Sequence, residues 1–230
     1  MQIISRPFSG IYPVSFFRGN VFAAFSGRQY DRSRFNDFLT KASFFPKALV
    51  RPKQVHGDEI MIIDCIQRPE PVRDADGLLT NIPGPVLGIL TADCIPAFFW
   101  DPVQKATGLA HAGWRGLKAG ILSKMILKMQ KSFGSRPGDV QVVFGPAIRS
   151  CCYEVGRDFQ EYFPGFYLPF SRDKGKMDLP GFARQEIIKG GIPSQNIFDT
   201  EICTSCQKDS FFSARRGDLD ERILSVIQIR

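Results

Sequence analysis

Apolar residues fall along this chain in short runs broken by turn-forming residues, and helical periodicity is sustained in few places. Residues 86–91 and 140–144 are near-continuous apolar runs, the pattern of strands buried on both faces. Residues 21–25, 97–100, 106–110, 198–202 and 222–229 predict further strands. Residues 48–55 and 60–64, separated by His56-Gly57-Asp58, predict a strand, a turn and a returning strand, and Asp74-Ala75-Asp76-Gly77 predicts another turn. From 117 to 133, Leu117, Ile121, Leu122, Met125, Ile126 and Met129 recur at helical spacing. Residues 178–189 predict a second helix stopped at Gly190-Gly191, and the charged stretch 28–39 begins a surface helix. Because strands and helices alternate irregularly, the expected fold is α+β: a single domain over residues 1–230, with mixed β-sheets flanked by helices.

Composition narrows the class. At 230 residues and 43% hydrophobic content the chain is long enough to bury one substantial core, and no linker composition or internal repeat divides it. No stretch approaches the roughly 18 apolar residues of a membrane span, and the N-terminus lacks an export pattern, so a cytoplasmic protein without membrane contact is expected. Six cysteines are too few for a disulfide scaffold, which agrees with a reducing compartment. The excess of 30 basic over 23 acidic residues gives a charge of +7 and favours a phosphate-bearing partner. Nucleic acid is not expected, because the basic residues are dispersed and no aromatic-interleaved basic motif appears. Arg18, Arg28, Arg32 and Arg34 read as a solvated surface, with an anion clamp as the functional alternative. Nothing in the pattern specifies an oligomeric state.

Reactive residues are sparse and oddly placed. The chain has two histidines, in Val55-His56-Gly57 and in His111-Ala112-Gly113, and Cys94 lies in Thr91-Ala92-Asp93-Cys94-Ile95-Pro96. Together they make a His/Cys/His set, three zinc-type ligands with a fourth position left open, as in a catalytic site. The plainer reading makes each a structural histidine or a small buried thiol. His111 ends a strand, and the glycine-bearing turn Gly113-Trp114-Arg115-Gly116 leads into a helix, an arrangement that aims backbone amides at an anion. Cys203-x-x-Cys206 lacks the second half-site of a structural zinc site and is expected to be dispensable for catalysis. Vicinal Cys151-Cys152, on a strand, would point to opposite faces.

Several of these segments occur in order: Lys53-Gln54-Val55-His56-Gly57, Asp74-Ala75-Asp76-Gly77, Thr91 to Pro96, His111-Ala112-Gly113-Trp114-Arg115-Gly116, Gly145-Pro146-Ala147-Ile148 with Cys152-Tyr153-Glu154-Val155-Gly156, and Phe211-Phe212-Ser213-Ala214-Arg215-Arg216. In this the chain resembles the laccase-domain family, also called multicopper polyphenol oxidoreductases and regarded as zinc-dependent purine nucleoside phosphorylases. The resemblance covers roughly residues 49–222. It implies a zinc site carried by His56, Cys94 and His111, phosphorolysis of adenosine, inosine, guanosine and methylthioadenosine, and adenosine deamination as a second activity. The compact segment Phe25-Ser26-Gly27-Arg28-Gln29-Tyr30 departs from the glycine-rich, asparagine-containing stretch typical of the family.

If phosphorolysis is the reaction, purine nucleosides and phosphate are the partners, and an anion must be held beside a departing base. Arg115 and the amides from Gly113 are the local candidates, with Arg51 and Lys53 as alternatives. For deamination a carboxylate must shuttle protons to an attacking water, and Asp93 is the one nominated. Two histidines cannot build a multicopper oxidase, although one copper could occupy the site adventitiously. Two other classes use the same residues: a cysteine hydrolase with Cys94 as nucleophile and His111 as base, and a metal-binding module without catalysis.

Overall fold

The computed structural model describes residues 4–15, 20–65 and 72–230. Two β-sheets face one another. The first has the strand order Ile11–Pro13, Val21–Ser26, Ile223–Ile229, Val86–Thr91, Leu49–Val50. The second runs Ile197–Asp199, Gln141–Phe144, Ile95–Asp101, Ala106–Ala112, Gly77–Thr80, Ile60–Ile62. Both mix parallel and antiparallel pairings. The fold is α+β.

Alternation along single strands sorts side chains into layers. In Ile95–Asp101, Phe98 and Trp100 enter the core between the sheets with Leu87, Ile89 and Ile227. Ala97 and Phe99 point the other way, to the layer containing Met125, Ile126 and Met129 of the helix Ile121–Phe133 and Ala183 and Ile187 of the helix Leu179–Lys189. In Ile223–Ile229, Leu224 and Val226 meet Phe35, Phe38 and Leu39 of the helix Phe35–Lys41 on the outer face of the first sheet. Each sheet is therefore covered on both sides, which is why its strands read as unbroken apolar runs. No helix among the described residues is long and apolar enough to cross a membrane.

Three sequence expectations change. The runs at 48–55 and 60–64 do not form a hairpin: Leu49–Val50 joins the first sheet, Ile60–Ile62 the second, and Pro52–Lys53 pairs in parallel with Val72–Asp74. His56 lies in the crossing between sheets. The helical run from 117 is split, because Gly120 at φ 81° ends the short helix Trp114–Lys118 before Ile121–Phe133 begins. The charged stretch 28–39 forms a single 3-10 turn, Arg32–Arg34, and then the helix Phe35–Lys41. Arg28 leaves that helix to pair with Asp218 at 2.7 Å, and Arg18 falls outside the described residues.

Phe98 is fully buried between the sheets. Phe98→Ala is expected to lower the free energy of unfolding by about 3–5 kcal/mol, measured by urea denaturation. A loss under about 1 kcal/mol would mean that the inter-sheet layer closes without it.

Candidate metal centre

A β-hairpin brings two of the three metal-type residues together. Ile95–Asp101 pairs antiparallel with Ala106–Ala112, so that Pro96 lies opposite His111 and Ile95 opposite Ala112. The register is held at the turn, where Asp101 Oδ1 accepts the amides of Val103 at 2.8 Å and Gln104 at 3.0 Å. One step beyond the paired residues, Cys94 meets Gly113. A Cβ at Gly113 would lie 2.9 Å from Cys94 Sγ and 3.5 Å from His56 Cδ2. Only glycine lets the chain pass this close to the thiol.

The third residue is delivered by Asp76, which is fully buried. Its carboxylate accepts the amides of Val55 at 3.1 Å, His56 at 3.0 Å and Gly57 at 2.7 Å, and contacts His111 Nδ1 at 2.7 Å. Its backbone carbonyl accepts the His111 amide at 2.7 Å. One side chain thus shapes the turn carrying His56 and orients the His111 ring, leaving His111 Nε2 toward Cys94. His56 and Asp93 hold positive φ, 59° and 88°, a conformation that costs a non-glycine residue free energy and that, at His56, the bonds to Asp76 offset.

The donor atoms of His56, Cys94 and His111 all lie within 4.8 Å of one another. Tetrahedral zinc with nitrogen and sulfur ligands would separate its donors by about 3.4–3.6 Å, a small closing movement away. His111 is buried, Cys94 half-buried and His56 exposed, so the cluster opens toward solvent on one side. Burial alone would raise the Cys94 thiol, but the charge and hydrogen bond of His111, with those of His56, bring it down to about 6. Burial would likewise lower His111, which Cys94 and Asp76 instead push up to about 9. Burial raises the Asp76 carboxyl, yet His111 and the amides of Gly57 and Val55 hold it below the usual carboxylate range. The lowered thiol and raised imidazole favour an ion pair of Cys94 with His111, and a metal ion would take the place of the imidazolium proton to bind both.

Two cavities meet at this cluster and share His56, Ala92, Cys94 and Ala214. One, about 380 Å³, is walled by Trp114, Tyr153, Ile148 and Leu179 and carries Asp93, Arg115 and Arg215. The other, about 310 Å³, adds His111, Gln54, Arg32 and Arg222. Arg115 packs over the Trp114 ring at 4.4 Å, and Arg215 over Tyr153 at 5.2 Å. Asp93 has both carboxylate oxygens engaged, accepting Thr204 Oγ1 at 2.6 Å and the Arg215 amide at 2.7 Å.

Not every sequence candidate arrives. Arg51 and Lys53 line neither cavity; Lys53 pairs with Asp74 at 3.1 Å on the surface, because the parallel pairing of Pro52–Lys53 turns it outward. The expected anion-binding helix start at Gly113 is the five-residue Trp114–Lys118, and the space above Gly113 is filled by Cys94. Of the N-terminal arginines, Arg32 lines the smaller of these two cavities. Sequence reasoning passed over Arg215, although it lies in the Phe-Phe-Ser-Ala-Arg-Arg segment, and Tyr153, which follows the vicinal cysteines. It also missed that Cys151-Cys152 lies in a turn, not a strand, and faces Cys203 and Cys206, the four sulfurs lying within 4.8 Å of one another.

An α+β scaffold with a His/Cys/His donor cluster at the floor of paired cavities defines a candidate metalloprotein. The family model described as multi-copper polyphenol oxidoreductase laccase matches residues 31–230, and the chain belongs to that family. It is similar to a purine nucleoside phosphorylase of Bacteroides thetaiotaomicron, 37% identical over 223 residues, covering 89% of this chain and 83% of that one. It is also similar to adenosine deaminase RL5 of an unknown prokaryotic organism, 30% identical over 183 residues and covering 73% and 70%. Of two longer mammalian relatives it spans 43%. The crystal structure of YlmD from Geobacillus stearothermophilus superposes with a TM-score of 0.92 at 27% identity, over 100% of both chains.

Two measurements follow from this geometry. Asp76→Asn should weaken metal binding about 10–100-fold, read by competition with a chromophoric chelator; an unchanged affinity would remove Asp76 from the support of the site. In metal-free protein, alkylation of Cys94 should accelerate with rising pH through a midpoint of about 6, not near the ordinary thiol value of 9.0. The sign follows from the lowered pKa: thiolate is lost only as pH falls through that midpoint.

Proposed function

We propose that this protein is a zinc-dependent purine nucleoside phosphorylase, acting with inorganic phosphate on adenosine, inosine, guanosine or methylthioadenosine. The observation that carries the reading is the convergence of His56, Cys94 and His111 at a floor shared by two cavities, one of them walled by aromatic rings and arginines. The name of the relative from Bacteroides thetaiotaomicron supports the same reaction.

In phosphorolysis a phosphate oxygen bonds to C1′ of the ribose while the C1′–N9 bond breaks, and the electron pair leaves with the purine, which takes up a proton. Trp114 and Tyr153, with Arg115 and Arg215 packed over their rings, form the aromatic wall of the cavity that would take the base. Arg115 and Arg215 on the same wall supply the positive charge that holds and orients phosphate. Asp93, with both oxygens already accepting, fits a positioning role that fixes Arg215 and the loop of Thr204. His56, Cys94 and His111 would hold zinc, which when bound supplies a Lewis acid at the cavity floor. The same donors suit one copper ion, but the chain's two histidines fall far short of a multicopper centre. Adenosine deamination is a second reading, favoured by the similarity to adenosine deaminase RL5; Asp93, which lines the same cavity, would then be the carboxylate that shuttles protons.

Cys94→Ser should lose the zinc held by His56, Cys94 and His111 and, in parallel, phosphate-dependent purine release, and zinc should protect Cys94 of the parent from alkylation. Rapid alkylation of Cys94 in fully metallated protein, with metal content unchanged in Cys94→Ser, would instead make Cys94 the nucleophile of a cysteine hydrolase. Arg115→Ala should raise KM for phosphate about 10-fold or more without altering metal content. An unchanged KM would move the phosphate contact to Arg215 or to Arg32 and Arg222.

A further inference from the structure

Away from the His/Cys/His cluster, four cysteines from two distant segments meet at the surface. Cys151 and Cys152 lie in the turn after Gly145-Pro146-Ala147-Ile148, and Cys203 and Cys206 in the turn after the strand Ile197–Asp199. Sγ of Cys151 lies 3.5 Å from that of Cys203 and 3.6 Å from that of Cys206, and Cys152 lies 3.4 Å from Cys206. All four are unbridged, and all four sulfurs lie within 4.8 Å of one another.

These distances have a specific chemical meaning. A disulfide needs about 2.05 Å. A zinc ion with four thiolates at about 2.3 Å places neighbouring sulfurs about 3.8 Å apart, close to what the quartet already shows. A buried thiol can be explained as a small apolar side chain. That explanation fails here, because Cys151 and Cys206 are exposed and Cys152 is half-buried. Basic side chains surround the cluster, two of them, Arg149 and Arg216, already paired with Asp199 and Asp218. Arg149, Lys176 and Arg216 ring the cluster while bonding the carbonyls of Ile202, Cys151, Thr204 and Ser205.

We infer that Cys151, Cys152, Cys203 and Cys206 form a second, structural metal site that takes a thiophilic divalent ion, zinc, in closed tetrahedral coordination. With four thiolates no position stays open for substrate, so the ion cross-links and does not react. What it joins is the wall of the substrate cavity. Tyr153 follows Cys152 directly, and Thr204 follows Cys203, its hydroxyl donating to Asp93 and its amide to Ala147. The amide of Ile148, another wall residue, donates to the Asp93 carbonyl at 2.9 Å. The ion would lock the two loops that shape the pocket beside Cys94.

Metal content of the full chain, produced with zinc and without a histidine tag, should be about two ions per chain. Cys203→Ser/Cys206→Ser should keep about one, and Cys94→Ser should keep the other; turnover of the double variant should stay within a few-fold while its Tm falls. Because a double variant could fold poorly, the parent carries an independent test. Zinc should protect all four cysteines from alkylation, a chelator should expose them, and cobalt substitution of Cys94→Ser should give thiolate-to-cobalt charge-transfer bands of four-sulfur intensity. Absence of a retained ion in Cys94→Ser, alkylation of the quartet at the same rate with and without zinc, or disulfides within it in metal-replete protein would each overturn the inference. Failure at Cys94 with success here would sink the phosphorylase reading and leave this site standing.

Discussion

A single buried carboxylate organises this molecule's chemistry. Asp76 accepts three successive amides from the turn that carries His56 and holds the imidazole of His111, so two metal-type ligands from different parts of the chain share one reference point. A charge taken wholly out of water is costly unless it is paired and fully hydrogen-bonded. Asp76 meets that condition only when both His56 and His111 are where the site needs them, so the folding of the core and the assembly of the site are the same event.

The sheets explain why the site lies where it does. His56 sits in the crossing from one sheet to the other, while Cys94 and His111 come from adjacent strands whose register is set by the Asp101 turn. Donors at strand ends on a scaffold covered on both faces are held rigidly while remaining open to solvent on one side. The family's copper-oxidase description sits uneasily with this chain's inventory, since the donors gathered here are one thiol and two imidazoles in one cluster and four cysteine sulfurs in another.

Much of this was legible in the sequence. The unbroken apolar runs identified the doubly covered strands, and the rarity of histidine beside glycine pointed to His56 and His111, which do meet Cys94. What failed depended on contacts distant in sequence. The runs around His56 looked like a hairpin because turn chemistry is local, whereas Asp76, some twenty residues on, decides that the turn crosses between sheets. Lys53 and Arg51 looked eligible by proximity to His56, but strand direction turned Lys53 to Asp74. The cysteine quartet was hidden because its halves are some fifty residues apart, and a CxxC without a nearby partner carries little information alone. Gly113 was read for its amide, when its missing side chain is what matters.

The left-handed backbone at His56 and Asp93 has a further consequence. Residues with side chains rarely adopt that conformation in an unfolded chain, so the geometry that gathers the donors exists only in the native state. An ion that binds the native state and not the unfolded one stabilises it by RT ln(1 + [L]/Kd). Once an ion is held by these donors, the stability of this protein is no constant of its sequence but varies with the free metal concentration around it.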